Sequence, residues 1–205
     1  MAVGKTVQRL ARPVKVELRC GVEECDCIIA AAGRSERMGR WKPVLPFGEV
    51  SIIEAVAAAA LRACPRVLLV TGYRGAELAA IFRGEPRVIP VVHEDWPLGM
   101  FSSIRRGMSC VSTARFFVTL GDMPWITDAV YAALLRRDEA DVVFPVHDGR
   151  RGHPVLFHER VRPAVASADP RTGSMRAIAE SFRVSEMLWP DDSVLRDIDT
   201  ESDLR

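Results

Sequence analysis

Short apolar runs separated by helix-patterned segments predict an α/β domain with a mostly parallel sheet and helices on both faces. Two observations carry this directly. The runs Ile28–Ala32, Val67–Val70 and, but for Thr119, Phe116–Leu120 are apolar throughout, as strands covered on both faces are, and segments of helical period lie between them. A third observation agrees: the runs stop at Gly33, Thr71-Gly72 and Gly121-Asp122. Such turns mark the carboxyl rim of a parallel sheet, where ligands gather.

Residues 1–24 show no clear periodicity and read as an N-terminal extension, either a flexible arm or an added strand. Residues 25–205 then form one domain, a length that suffices for a well-buried core. Ser51 followed by Glu54 is a capping box. It opens a helix with Ile52, Val56, Ala59 and Ala63 on one face, ending before Pro65. Val67–Val70 is the second strand, Glu77–Phe82 a short helix, and Val88–Val92 the third strand. Gly99 leads into a helix over Ser102–Val111, and Phe116–Leu120 is the fourth strand. Asp128–Arg137 reads as helix and Val142–Pro145 as strand.

Composition excludes several functions. With 48% hydrophobic and 27% charged residues the chain is an ordinary globular one. A net charge of +1 supplies no field to recruit nucleic acid or an acidic membrane, so any attraction for an anion must be local. No apolar run approaches bilayer length, and residues 1–17 lack a hydrophobic segment resembling a secretory signal. A cytoplasmic location is the expectation. The five cysteines are an odd number without C-x-x-C spacing. Cys20, Cys25 and Cys27 have no nearby histidine or second pair to complete a metal knuckle, which favours reduced structural thiols.

The chemistry concentrates in the stretch from Cys27 to Lys42. Ala31, Ala32 and Gly33 let a ligand approach the backbone closely, and Gly33 permits a turn that aims N–H groups outward. Arg34, Ser35, Arg37, Arg40 and Lys42 follow, a set suited to a polyphosphate; the plainer reading is a solvated basic loop. The stretch is not a Walker A loop, lacking Gly-Lys-Ser/Thr, nor a dinucleotide fingerprint, lacking the three-glycine spacing. Asp122, just past an apolar strand, either caps a turn or offers a carboxylate to a hard cation such as Mg²⁺. Asp197 and Asp199 alternate across Ile198 and share one face if extended, or belong to a solvated acidic end. Ser102 and Ser103 stand where serine commonly caps a helix. Trp41 and Trp96 flank the proposed site, where each either stacks on a ring or, as the default, packs.

The string Ala31-Ala-Gly-Arg-Ser-Glu-Arg-Met-Gly39 with Lys42 and Leu45-Pro46 resembles the signature loop of nucleotidyltransferases, and within them the molybdenum cofactor cytidylyltransferases. Val70-Thr-Gly-Tyr-Arg-Gly75, Gly121-Asp-Met-Pro124, Arg151-Gly-His-Pro154 and Asp197-Ile-Asp-Thr200 follow in the same order. The resemblance implies a Rossmann-like fold of the nucleotide-diphospho-sugar transferase type. It also implies transfer of CMP from CTP to the terminal phosphate of molybdopterin carrying molybdenum, with release of pyrophosphate. Arg37, Lys42 and Asp122 are then catalytic, with Mg²⁺ on Asp122 and on Asp199, which is favoured over Asp197. Ala31, Ala32, Gly33, Arg34, Ser35, Thr71, Gly72, Gly99 and Ser103 bind the nucleotide. Arg151, His153 and Arg171 face the molybdopterin acceptor, and the product passes to a molybdoenzyme or its chaperone.

Related guanylyltransferases carry two consecutive glycines where this chain has Ala32-Gly33. The added methyl narrows the pocket against a purine, worth about 1–3 kcal/mol, so CTP is expected over GTP. The competing readings are a guanylyltransferase or another sugar- or polyol-phosphate nucleotidyltransferase, and a nucleotide-binding module without catalysis.

Overall fold

The computed structural model describes residues 24–35, 38–137 and 140–204. The expected extension at 1–24 therefore lies outside the described residues except for Glu24, and Arg37 lies outside them too.

The first strand, β1 (Cys25–Ala30), is buried along its whole length. It begins earlier and ends two residues sooner than its apolar run, because Ala31 N–H bonds Val70 C=O (3.1 Å) and Ala32 C=O accepts from Tyr73 N–H (3.0 Å). A two-residue ladder, β2 (Pro46–Phe47) against β3 (Val50–Ser51), leads into α1 (Ile52–Ala63). The capping box forms: Ser51 N–H donates to Glu54 Oε2 at 2.8 Å. Then come β4 (Arg66–Thr71), α2 (Gly75–Ile81), β5 (Val88–Val92) and α3 (Met100–Met108). They are followed by β6 (Arg115–Leu120), α4 (Asp128–Leu135) and β7 (Val142–His147). Beyond the elements that the sequence marked lie β8 (Arg150–Arg151), β9 (Val155–His158), α5 (Arg162–Ser167), α6 (Met175–Ala179) and β10 (Val184–Leu188).

The main sheet runs β10-β7-β9-β6-β1-β4-β5, with β8 paired to β7. The pairs β1–β4, β1–β6, β4–β5 and β7–β10 are parallel, while β9 is antiparallel to both β6 and β7. Alternate residues of the central strands divide the core. Cys27, Ile29, Leu69 and Phe117 face α1, α2 and α4, whereas Ile28, Leu68, Val70 and Phe116 face α3, α5 and α6. Close approach of α3 depends on Gly107: a side chain there would come within 2.6 Å of Ile28 and 2.9 Å of Val70. The parallel strands β1, β4 and β6 thus deliver Gly33, Gly72 and Asp122 to one rim. Among the described residues no helix is long and apolar enough to cross a membrane.

At the opposite end of β1, Asp26 is buried and takes a bidentate pair from Arg66 (2.7 and 2.6 Å) plus the Ser112 N–H (2.9 Å). Burial pushes its carboxyl up, but Arg66, Ser112 and Thr113 outweigh that and hold it below the ordinary value of 3.8. A carboxylate whose folded pKa is depressed stabilises the protein above the unfolded value, and the contribution is lost as pH falls through the folded one. Asp26→Asn is expected to cost about 2 kcal/mol at neutral pH, since Arg66 is partly solvated, with the deficit shrinking as pH is taken below the ordinary value of 3.8. Urea unfolding of both proteins at neutral and acid pH checks it.

Candidate active site

The rim holds a cleft of about 430 Å³ between the loop after β1 and the N-terminal end of α3. Its walls include Ala31, Ala32, Gly33, Arg34, Ser35, Lys42, Gly99, Ser103 and Asp122, so nine residues expected from the sequence come together. Gly33 serves differently from the expectation. Its φ lies outside the left-handed region, and a Cβ added there would meet nothing within 4 Å. It keeps space open at the cleft rather than enabling the turn. Among the described residues of the loop, Ser35 (φ 60°) and Gly39 (φ 64°) are left-handed; the Ser35 C=O accepts from Met38 N–H (3.1 Å) and its Oγ accepts from Lys42 N–H (3.1 Å). That clamp ties the loop to the lysine.

The Lys42 side chain is only 7% exposed, and its Nζ lies 2.8 Å from Asp199 Oδ1 and 3.4 Å from Asp122 Oδ2. Gly121 brings Asp122 close to the loop: its N–H bonds Ala30 C=O (3.0 Å), and a side chain there would press on Ala31 Cβ at 2.9 Å. The alternation across Ile198 works as the spacing suggested. Ile198 is buried with Leu45 and Ile52, its N–H donates to Asp122 C=O (2.9 Å), and the acids on either side reach the same place. Carboxylate oxygens of Asp122, Asp197 and Asp199 lie within 4.8 Å of one another, so Asp197 joins the group for which the sequence favoured Asp199. Asp203 holds the segment by accepting from the Asp199 and Thr200 N–H groups at 3.0 and 2.7 Å.

Burial raises the Asp122 carboxyl above its ordinary value, Lys42 opposing and Asp197 adding to the effect. Three carboxylates face one ammonium, and the partly desolvated site retains excess negative charge. An all-oxygen, anionic donor set of this kind fits a hard divalent cation, and not a soft one. Asp122, Asp197 and Asp199 are the residues that would hold it.

Other expected residues lie elsewhere. Thr71 and Gly72 are not among the residues lining this cleft. Thr71 is fully buried, and Gly72 lies beneath Trp96, whose ring atoms would sit 2.5 Å from an added Cβ. Trp96 itself lines the cleft with the Arg34 guanidinium 4.8 Å from its ring centre, whereas Trp41 is buried beneath Arg74. Arg151 does not reach the cleft either; it pairs with Glu186 (2.7 Å) across Phe144. His153 is partly buried, its Nδ1 3.5 Å from Val118 C=O, and Gly152 before it abuts the Val194 carbonyl ahead of the acidic segment. Burial lowers the His153 pKa, with Val118 and Asp197 pulling the other way. Arg171 is exposed on a loop that packs at Gly173 against Phe101 of α3. Cys25, Cys27 and Cys64 are free and buried, with Cys25 Sγ 3.3 Å from Cys64 Sγ, away from the cleft at the start of β1 and the end of α1.

The sequence reading missed the contributions of Pro97, Met100 and Leu120 to the wall, and it passed over His93. Apolar wall residues carry no motif; the turn after Trp96 brings Pro97 and Met100 to the cleft, and the end of β6 brings Leu120.

The chain is similar to known proteins over most of its length. Residues 27–185 match the family described as the MobA-like NTP transferase domain. The chain is 35% identical over 183 residues to the molybdenum cofactor cytidylyltransferase of Escherichia coli, covering 87% of this chain and 92% of that one. It is 30% identical over 186 residues to nicotine blue oxidoreductase of Paenarthrobacter nicotinovorans, covering 84% and 91%. Among solved structures, the Mycobacterium tuberculosis protein Rv0371c in complex with manganese shares the fold, with a TM-score of 0.71 and 21% identity over 88% of this chain and 95% of that one. With that family model matching residues 27–185, most of the chain, and a cytidylyltransferase 35% identical over 87% of it, the chain belongs to the MobA-like NTP transferase family, as a nucleotidyltransferase.

Proposed function

We propose that this nucleotidyltransferase moves CMP from CTP to the terminal phosphate of molybdenum-bearing molybdopterin, releasing pyrophosphate. The observation that carries the reading is Lys42, held between Asp122 and Asp199 at the edge of a cradle that Gly33 leaves open. A module that only sensed nucleotide would need no such buried charge cluster. The similarity to the E. coli cytidylyltransferase supports CTP and the molybdopterin acceptor. Ala32, which lines the cleft where related guanylyltransferases carry glycine, supports a pyrimidine over a purine by about 1–3 kcal/mol.

In this reading the acceptor phosphate attacks the α-phosphorus in line. The new P–O bond forms as the bond to the β-phosphate bridging oxygen breaks, and pyrophosphate carries off the electron pair. The attacking group is already an anion, so no general base is needed. Gly33 and its neighbours admit the phosphates, and Arg34 and Lys42 offset their charge. With a divalent cation held by Asp122 and Asp199, Lys42 would be free to turn to the phosphates. Gly99, Ser103 and Trp96 bound the base. A divalent cation, Mg²⁺ in this reading, supplies charge neutralisation at the phosphates when bound to the acidic trio. His153, neutral at pH 7 and near Asp197, stands on the acceptor side. Arg151 and Arg171 reach the acceptor only by leaving Glu186 and solvent, respectively. The product passes to a molybdoenzyme or its chaperone in the cytoplasm, where we place the protein.

Pyrophosphate release from CTP and GTP, each with purified molybdopterin cofactor and Mg²⁺, tests this. CTP is expected to support turnover. Faster turnover with GTP overturns the base assignment. Conversion of nicotine blue with CTP left intact overturns the reaction itself.

A further inference from the structure

The wall of the cleft facing the phosphate loop is the turn Trp96–Gly99 and the first turn of α3. Behind this wall stands His93, the residue after β5, buried at 8% exposure, with its N–H donating to Thr71 C=O at 2.9 Å. Its Nε2 lies 2.9 Å from Ser102 Oγ, and the Ser102 hydroxyl donates to Gly99 C=O at 2.7 Å. A hydroxyl has one proton. With that proton directed to Gly99, the ring nitrogen must be the donor, and the chain reads His93 Nε2–H to Ser102 O–H to Gly99 C=O. The same carbonyl accepts from the Ser103 hydroxyl and N–H, both at 3.3 Å.

The turn closes through its own backbone, Leu98 N–H to Asp95 C=O (3.0 Å) and Gly99 N–H to Trp96 C=O (3.1 Å), but those bonds leave the Gly99 carbonyl for the serines and, through Ser102, His93 to orient. Gly99 has φ +109° and ψ −175°, a region closed to residues with a side chain, yet a Cβ added there would meet nothing within 4 Å. Glycine is there for its backbone conformation, and the three donors fix the carbonyl. Gly99, Ser103 and Trp96 all face the cleft, while His93 and Ser102 face away from it onto a separate groove. Burial lowers the proton affinity of His93, with Asp95 raising it and Arg106 lowering it, so the neutral ring passes on a hydrogen bond and no charge.

We propose that His93 is a positioning residue for the nucleotide: through Ser102 it orients the Gly99 carbonyl and so sets the turn against which the base lies. The Thr71 that the sequence placed on the nucleotide acts here one step back, through its carbonyl on His93. The inference rests on the cleft being the nucleotide site and not on the identity of the acceptor.

The test is CTP affinity by tryptophan fluorescence, together with kcat and KM, for His93→Leu, His93→Gln, Ser102→Ala and the Leu/Ala double variant. Loss of one such bond should weaken CTP binding about five- to tenfold and raise KM alike, with kcat changed less than about twofold. His93→Gln, which keeps a donor at the reach of Nε2, should recover most of the affinity. The double variant should be no worse than Ser102→Ala alone, as expected for two members of one chain. Unchanged CTP affinity in Ser102→Ala or in a folded His93→Leu overturns the proposal, as does equal weakening by Leu and Gln. Affinity is read without any acceptor, so wild-type protein that binds CTP but releases no pyrophosphate would sink the proposed reaction and leave a weakened His93→Leu still supporting the relay.

Discussion

Asp122→Asn is expected to reduce turnover by at least about a hundredfold while changing CTP affinity by less than about fivefold. The substitution keeps the volume and removes one charge from a group built of three carboxylates and Lys42. Lys42 keeps its closer partner, Asp199 at 2.8 Å, so the loop clamp through Ser35 should stay in place and the nucleotide should still bind. In the proposed reaction what is lost is a ligand for the divalent cation, and with it charge stabilisation that matters most in the transition state. Stability should move the other way. Burial raises the Asp122 pKa in the folded protein, so the folded state holds that proton more tightly than the unfolded chain does. Its contribution to stability is therefore greatest below the unfolded value and is lost as pH rises through the folded one. At pH 7 the variant should melt no lower than wild type, and any gain should fade in acid. Steady-state kinetics, calorimetric CTP titration and thermal melts at two pH values check all three points. Near-wild-type turnover would remove Asp122 from the chemistry.

Much of this site was legible because its parts are local in sequence or repeat a simple rule. Asp122 follows a run of buried strand residues, and any parallel strand delivers the residue at its end to the rim. Asp197 and Asp199 flank a buried isoleucine, so an extended backbone puts both acids on one side. The choice between them was not legible, since it needed the place of Lys42 Nζ. Thr71 and Gly72 show the opposite limit. Their position on the rim followed from β4, but Trp96, 24 residues further along, folds over Gly72 and takes the place on the wall. The antiparallel β9 escaped for a different reason. Val155–His158 is four residues long, and nothing in so short a run tells that it enters between β6 and β7 instead of adding at an edge. His93 carried no signal at all: a single histidine after a strand acquires meaning only when Ser102, nine residues on, turns toward it.

Gly33→Val separates ligand binding from folding within the same loop. The Gly33 backbone lies outside the left-handed region and an added Cβ meets nothing within 4 Å, so the fold should accept valine within about 0.5 kcal/mol. The added methyl groups would occupy space that the cleft keeps open beside Arg34 and Ser35, and CTP affinity is expected to fall by at least about a hundredfold, with Gly33→Ala intermediate. Gly121→Ala is the control on the facing strand. Its Cβ would lie 2.9 Å from Ala31 Cβ and 3.2 Å from Ala30 C=O, both part of the scaffold, so it should cost about 1–3 kcal/mol of stability. One variant is predicted to lose ligand and keep its melting temperature, the other to lose melting temperature through a clash. Thermal melts with and without CTP distinguish them: wild type should be stabilised by the nucleotide and Gly33→Val should not. If CTP raises the melting temperature of Gly33→Val as much as that of wild type, the phosphates do not lie against this loop.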